Sequence, residues 1–179
     1  MKKNILTIFA LSFITLASVT SCTIEVREDN NGETPTQTTG STLSGTGTLS
    51  GTLKGDLLVK KGNYSLEGVV KVPSGVTLTI EPGAVFTAKT SVGSSLVVLQ
   101  GGKIMAEGTA AEPIVFTSDN KTPGDWGGVT LYGNAPIKAI NGATQALSED
   151  GNAVYYGGSD ANSNSGTMRF VRVEYACKK

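Results

Sequence analysis

Apolar residues recur in this chain at a fixed interval of eighteen positions. Leu78, Leu96 and Ile114 keep that spacing, and so do Ile80, Val98 and Phe116. The pairs Phe86/Ile104, Ala88/Ala106 and Gly83/Gly101 repeat it. Within each unit the pattern alternates, as in Leu78-Thr79-Ile80 and Ile114-Val115-Phe116, the period of a strand with one buried face. Each unit closes on Gly or Pro: Pro73-Ser74-Gly75, Pro82-Gly83, Gly101-Gly102 and Gly108. Short strands and turn residues at matched offsets specify a solenoid. The expected class is therefore all-β, a parallel β-helix of a few coils with about 18 residues per coil. One repeat per coil would stack Leu78, Leu96 and Ile114 in one interior column. Ile80, Val98 and Phe116 would form the next, with strands about 4.8 Å apart. Thr77, Thr79 and Val115 would face outward, and Ala88 and Ala106 would sit at corners with little interior room.

The register loosens after Phe116. Thr117 to Asp125 adds a loop before Trp126-Gly127-Gly128-Val129, so Val129, counted from Ile104, implies a seven-residue insertion. Residues 134–166 are rich in Asn, Ser, Gly and Ala and too long for a turn, which predicts a surface excursion. A strand is expected at Met168 to Ala176, where Val171, Val173 and Tyr175 alternate with Arg172 and Glu174. The chain then stops, and a helix incomplete at its C-terminal end, without a polar cap over its last coil, is expected.

The other end carries a different signal. Lys2 and Lys3 precede an apolar run from Ile5 to Val19, which ends in Val19-Thr20-Ser21-Cys22. That layout predicts a lipoprotein signal peptide over residues 1–21. The run is about fifteen residues, short of the roughly twenty that a membrane-spanning helix needs. Cys22 is the expected lipidation site, carrying a diacylglyceryl thioether and an acyl chain such as palmitate, so the N-terminal lipid would hold the protein to a membrane. Residues 22–50 are polar and read as a lipidated flexible tether, with the β-helix domain occupying 51–179. Within this stretch Thr-Leu-Ser-Gly-Thr occurs at 42–46 and again at 48–52, and the run from Thr42 to Gly55 is expected to lie as a cap over the first turn.

Composition excludes several chemistries. Histidine is absent, which rules out Ser-His-Asp and Cys-His arrangements. Without Lys2 and Lys3, 13 basic residues face 15 acidic ones, with no basic patch to bind nucleic acid. With Cys22 acylated, Cys177 would have no disulfide partner.

The segments Gly75-Val-Thr-Leu-Thr-Ile-Glu-Pro-Gly83, Gly108 to Ser118, Gly124-Asp-Trp-Gly-Gly128, Ala135-Pro136-Ile137 and Tyr156-Gly157-Gly158 occur in that order. Together they resemble a family of right-handed β-helix lipoproteins from Bacteroidetes, over roughly Gly51 to Ala176. Arg27-Glu28-Asp29 resembles that group's acidic export signal. The resemblance implies a right-handed coil and a lipid-anchored, surface-exposed place on the outer membrane. Members of that family continue through further coils, so this chain reads as a truncated version of them.

Candidate chemistry is sparse. Asp160, Asn162 and Asn164 place oxygens at alternate positions before Gly166, much as calcium loops do. The glycine is one place late and no Glu closes the loop, so a polar surface loop is the better reading and no metal or other cofactor is assigned. Polysaccharide lyases with this fold use an acidic calcium cluster and a positioned Arg or Lys. Arg172 and Glu174 share one strand face, which points to a cross-coil ion pair instead, and Asp119, Asp125, Glu149 and Asp150 sit in loops without glycosidase spacing. Trp126, Tyr155 and Tyr156 are the candidate ligand-facing aromatics, Trp126 with a structural role as its stronger reading. The expected function is a structural or binding module, not an enzyme, with a polysaccharide or other cell-surface partner. The alternative is a truncated or degenerate lyase-like enzyme.

Overall fold

The computed structural model describes residues 40–138, 142–149 and 153–177. These residues include twelve strands and a short 3-10 turn at Thr90–Val92, with no α-helix among them. The chain opens with β1 (Ser41–Thr52) and β2 (Leu57–Val72), two long strands paired in parallel. It then winds through β3 (Thr77–Ile80), β4 (Ala84–Ala88) and β5 (Ser95–Val98). The next coil is β6 (Lys103–Glu107), β7 (Ile114–Ser118) and β8 (Val129–Leu131). After a ribbon of β9 (Gln145–Leu147) and β10 (Tyr155–Gly157), the chain returns as β11 (Gly166–Arg169) and β12 (Val171–Val173).

Every strand outside the ribbon pairs in parallel with its copy in the neighbouring coil. Three walls result. The start of β2, then β3, β6 and β11 form the first wall; the middle of β2, then β4, β7 and β12 form the second. The end of β2, then β5 and β8 form the third. This is a parallel β-helix.

Its coils differ from those that the eighteen-residue interval implied. Leu78, Leu96 and Ile114 lie in β3, β5 and β7, on three different walls, so they are not one column. The true first-wall partners are Leu57, Leu78 and Ile104, separated by 21 and then 26 residues. Val129 stacks on Leu96, 33 residues earlier, and not on Ile104. The reason is that each coil holds three strand-and-turn units of similar length, and eighteen residues span two of them. The repeat reports the strand unit, and the coil is one unit longer.

The core follows the real register. Val59, Ile80 and Ala106 form one buried column, and Val72 and Val98 another. Tyr64, Phe86 and Phe116 form a third, with ring centroids 5.4 Å and 4.8 Å apart. Such ring pairs add about 0.5–1.5 kcal/mol each beyond the area they bury. Ala88 lies between Leu66 and Ser118, narrowing the interior as expected of a small residue there. Val115 points away from the core, as expected, and is covered there.

The cap at the first turn is a full strand. β1 begins at Ser41, so residues 41–50 belong to the folded body and not to a tether. Its Ser, Thr and Gly residues read as linker because an edge strand needs polar residues on its solvent side. Leu43 and Leu49 suffice to seat it on the core. Gly62 lets it come close, since a Cβ there would run into the Gly45 backbone. Residues 1–39, on which the expected signal peptide and the lipidation site at Cys22 fall, lie outside the described residues.

Candidate functional site

The chain leaves the third wall after Leu131. Tyr132 is buried beside that wall, and the excursion is pinned at two points by one side chain. Gln100 Nε2 donates to the carbonyl of Gly157 at 2.6 Å and to that of Gly133 at 3.2 Å. The Gly157 N–H in turn donates to the Gly133 carbonyl at 2.9 Å. Both limbs of the excursion are thereby held to the coil, and β9 and β10 project as an antiparallel ribbon.

Strand alternation sorts the ribbon's side chains. Tyr155 lies directly opposite Leu147, with 59% and 48% of their surfaces exposed. Tyr156 points to the other face, where its ring stacks 6.3 Å from Tyr132 and stays 37% exposed. One face of the ribbon is thus an open apolar platform, and the other anchors it. An aromatic ring beside an aliphatic group, in a polar setting, suits a ligand with both apolar and hydroxyl-bearing faces. The sequence picked out Tyr155 and Tyr156 as ligand-facing; the structure gives them different positions, Tyr155 free and Tyr156 partly committed to packing.

Trp126 does not belong to this group. Its side chain is fully buried, its Nε1–H donates to the Glu174 carbonyl at 2.8 Å, and its backbone bridges to Ala176. No ligand can reach the ring. It closes the corner between β7 and β8, where Gly127 packs so near Ser95 that a Cβ would clash.

The acidic loop beside it is likewise structural. Asp125 Oδ2 accepts from the Ser118 hydroxyl and the Thr122 N–H, each at 2.7 Å. Asp119 Oδ1 accepts from the Thr90 N–H at 3.2 Å, tying one coil's corner to the next. Desolvation pushes the Asp119 carboxyl up, but the bonds from Thr90 and the charge of Lys89 outweigh it and hold the group below its ordinary value. Arg172 and Glu174 pair at 2.7 Å, within one strand end and not across coils. Among the described residues, the ion pair that crosses coils joins Lys61 to Glu112, with the Lys61 stem lying over Gly83. Sequence spacing had no means of finding it, because the partners are 51 residues apart.

At the calcium-like loop, Asp160 Oδ1 accepts from the Asn162 N–H at 2.9 Å and Asn164 Oδ1 from the Gly166 N–H at 2.7 Å. These oxygens shape the turn back into β11. Among the described residues no three His, Cys, Asp or Glu side chains converge on a point that could hold a metal. Cys177 is exposed with a free thiol. Glu149 is exposed, and Asp150 lies outside the described residues.

The outer surface of the second wall carries Thr48, Ser65, Thr87 and Thr117 in register across four strands. Thr117 Oγ1 is shielded and lacks a partner among the described residues, whereas Thr48 is exposed and Ser65 and Thr87 are half-buried.

A family model for a pectate-lyase-like β-helix domain matches residues 51–179, more than half of the chain. The chain belongs to that family. No curated protein matches it, and no solved structure does. The matched span begins inside β1 and includes all three walls and the ribbon. Membership of the pectate-lyase-like family fits a carbohydrate-binding or lyase-like protein, and it points to enzymatic relatives without placing a catalytic residue in this chain.

Proposed function

We propose that this protein is an exported, lipid-anchored module of the outer membrane that binds polysaccharide on the outside of the cell. The β-helix serves as a rigid wall, and the ribbon of β9 and β10 as the contact point. One observation carries this reading: the Tyr155–Leu147 platform stands open to solvent on a ribbon clamped by Gln100. Sugar rings present C–H faces that stack on aromatic side chains, and a platform held in place beforehand loses little freedom on binding. The hydroxyl column of Thr48, Ser65 and Thr87 supports the same chemistry with weak, repeated hydrogen bonds.

The test is a glycan array probed with the purified chain and with Tyr155→Ala. The wild type binds at least one polysaccharide class, and the variant loses tenfold or more in affinity while its unfolding curve stays unchanged, because Tyr155 touches no core column. Equal binding by both proteins, or no binding by the wild type, contradicts the proposal.

Anchoring rests on Cys22 behind the apolar run from Ile5 to Val19. Cys22→Ser is expected to abolish incorporation of labelled palmitate and to move the protein out of the membrane fraction. A lyase-like enzyme is the second reading, favoured by the family itself. Turnover of pectate-like or alginate-like substrates by the chain would establish it and displace the binding reading.

A further inference from the structure

We infer that the first wall carries a second ligand site, one that takes a neutral hexopyranose unit, at the end where β1 lies on β2. The inference rests on the glycan-binding reading but concerns a different surface from the ribbon. A concavity of about 490 Å³ opens there, lined among others by Ser41, Thr42, Asp56, Leu58, Thr77 and Thr79. That volume falls within the range of about 300–1,000 Å³ typical of small-ligand clefts.

The register builds its floor. Thr42, Leu58 and Thr79 are partners across β1, β2 and β3, so a hydroxyl, an isobutyl group and a second hydroxyl follow at successive strand spacings of about 4.8 Å. Those three side chains point outward because their neighbours Leu43, Val59, Leu78 and Ile80 face the core. Asp56 stands at the edge and is doubly tied. Its carbonyl accepts the Ser41 N–H at 2.9 Å, and its Oδ1 accepts the Thr77 N–H at 2.7 Å. Oδ2 accepts no hydrogen bond from the described residues. Gly40 keeps this edge open, since a Cβ there would sit 3.2 Å from the Cβ of Asp56.

A pyranose ring matches that set. Its C–H face covers Leu58, its hydroxyls reach Thr42 and Thr79, and one of them donates to Asp56 Oδ2, an acceptor held in position. A carboxylate is acceptor-only, so it selects a donor, which a sugar hydroxyl supplies and a uronate carboxylate does not. The one charged side chain in the lining is negative. Lys60 and Lys103 share the wall but stand outside the lining, Lys60 beside Glu81 and Lys103 one strand beyond Thr77. The site therefore favours neutral sugars over the polyuronates that a pectate-lyase-like domain brings to mind.

The test is a residue-resolved NMR titration of the full chain in detergent. The probes are neutral trisaccharides (cellotriose, mannotriose and galactotriose) and trigalacturonate. A neutral probe should shift the amides of Thr42, Leu58 and Thr79 and bind at least tenfold more tightly there than trigalacturonate. Asp56→Asn should bring the two classes within about threefold of each other by removing the charge. Leu58→Ser, which leaves the interior columns intact, should weaken the neutral probe tenfold or more and serves where Asp56→Asn unsettles the edge. Preference for trigalacturonate in the wild type overturns the inference. Shifts confined to Tyr155 and Tyr156 overturn it as well while leaving the glycan-binding reading in place, and an absence of shifts anywhere removes both.

Discussion

Trp126 shows how one side chain can decide the integrity of a corner. The indole is fully buried and its N–H satisfies the Glu174 carbonyl, which joins the loop after β7 to the segment after β12. Trp126→Ala is expected to cost about 3–5 kcal/mol from the cavity and lost contacts. Trp126→Phe should cost less, about 1–3 kcal/mol, chiefly because that carbonyl is left without its donor. Chemical unfolding monitored by circular dichroism checks both. Gly166 is the other sensitive position: its φ is +113°, and a Cβ would collide with the Ile104 backbone. Gly166→Ala should therefore detach β11 from β6, seen as lost amide protection in β11. The aromatic candidates were legible in the sequence because Tyr155 and Tyr156 stand in an otherwise small and polar stretch. The structural role of Trp126 was legible in the Gly127-Gly128 pair that follows it, whereas its acceptor, the Glu174 carbonyl 48 residues on, was not. The Gln100 clamp was invisible for the same reason, its acceptors lying 33 and 57 residues on.

At the scale of elements, turn chemistry and alternation gave the strands, and register was the harder problem. The expected strand from Met168 to Ala176 is two strands broken at Phe170, whose positive φ of 49° turns the chain from the first wall to the second. Nothing in an alternating pattern marks such a corner, because alternation restarts on either side of it. Corners are also where pH acts. The folded-state pKa of Asp119 is lowered, so its ionised form is the one that stabilises the link to Thr90. That contribution is present above the ordinary carboxylate value and is lost as pH falls through the lower, folded value. Acid titration should loosen the Thr90 and Asp119 amides over that interval in wild type, and Asp119→Asn should flatten the dependence. Hydrogen exchange followed from neutral to acid pH checks this.

The β-helix from β1 to β12 is a stack, and stacks are stable in proportion to neighbours. Each coil buries its columns only against the coils beside it. Among the described residues the last members of the columns, Leu131, Met168 and Val173, are exposed, while their counterparts in earlier coils are covered. Amides of β3, β4 and β5 should therefore be the slowest to exchange and those of β11 and β12 the fastest of the walls. Phe86→Ala, at the centre of the aromatic column, should cost about 3–5 kcal/mol, and Val173→Ala at its end well under half of that. A solenoid was legible from the repeat alone. Its coil length was not, because three similar strand units per turn make two-thirds of a coil look like a period.

Register is the claim on which the columns, the platform and the first-wall site all depend, and cysteine cross-linking measures it directly. In a Cys177→Ser background, Thr87→Cys with Thr117→Cys places two thiols on register partners of adjacent coils, both outside the core. Neighbouring strands lie about 4.8 Å apart, within the span that a disulfide bridges. Mild oxidation should join this pair and leave Thr79→Cys with Val97→Cys unjoined, since those residues lie on different walls. Efficient joining of the second pair and not the first would show coils of eighteen residues and contradict the account.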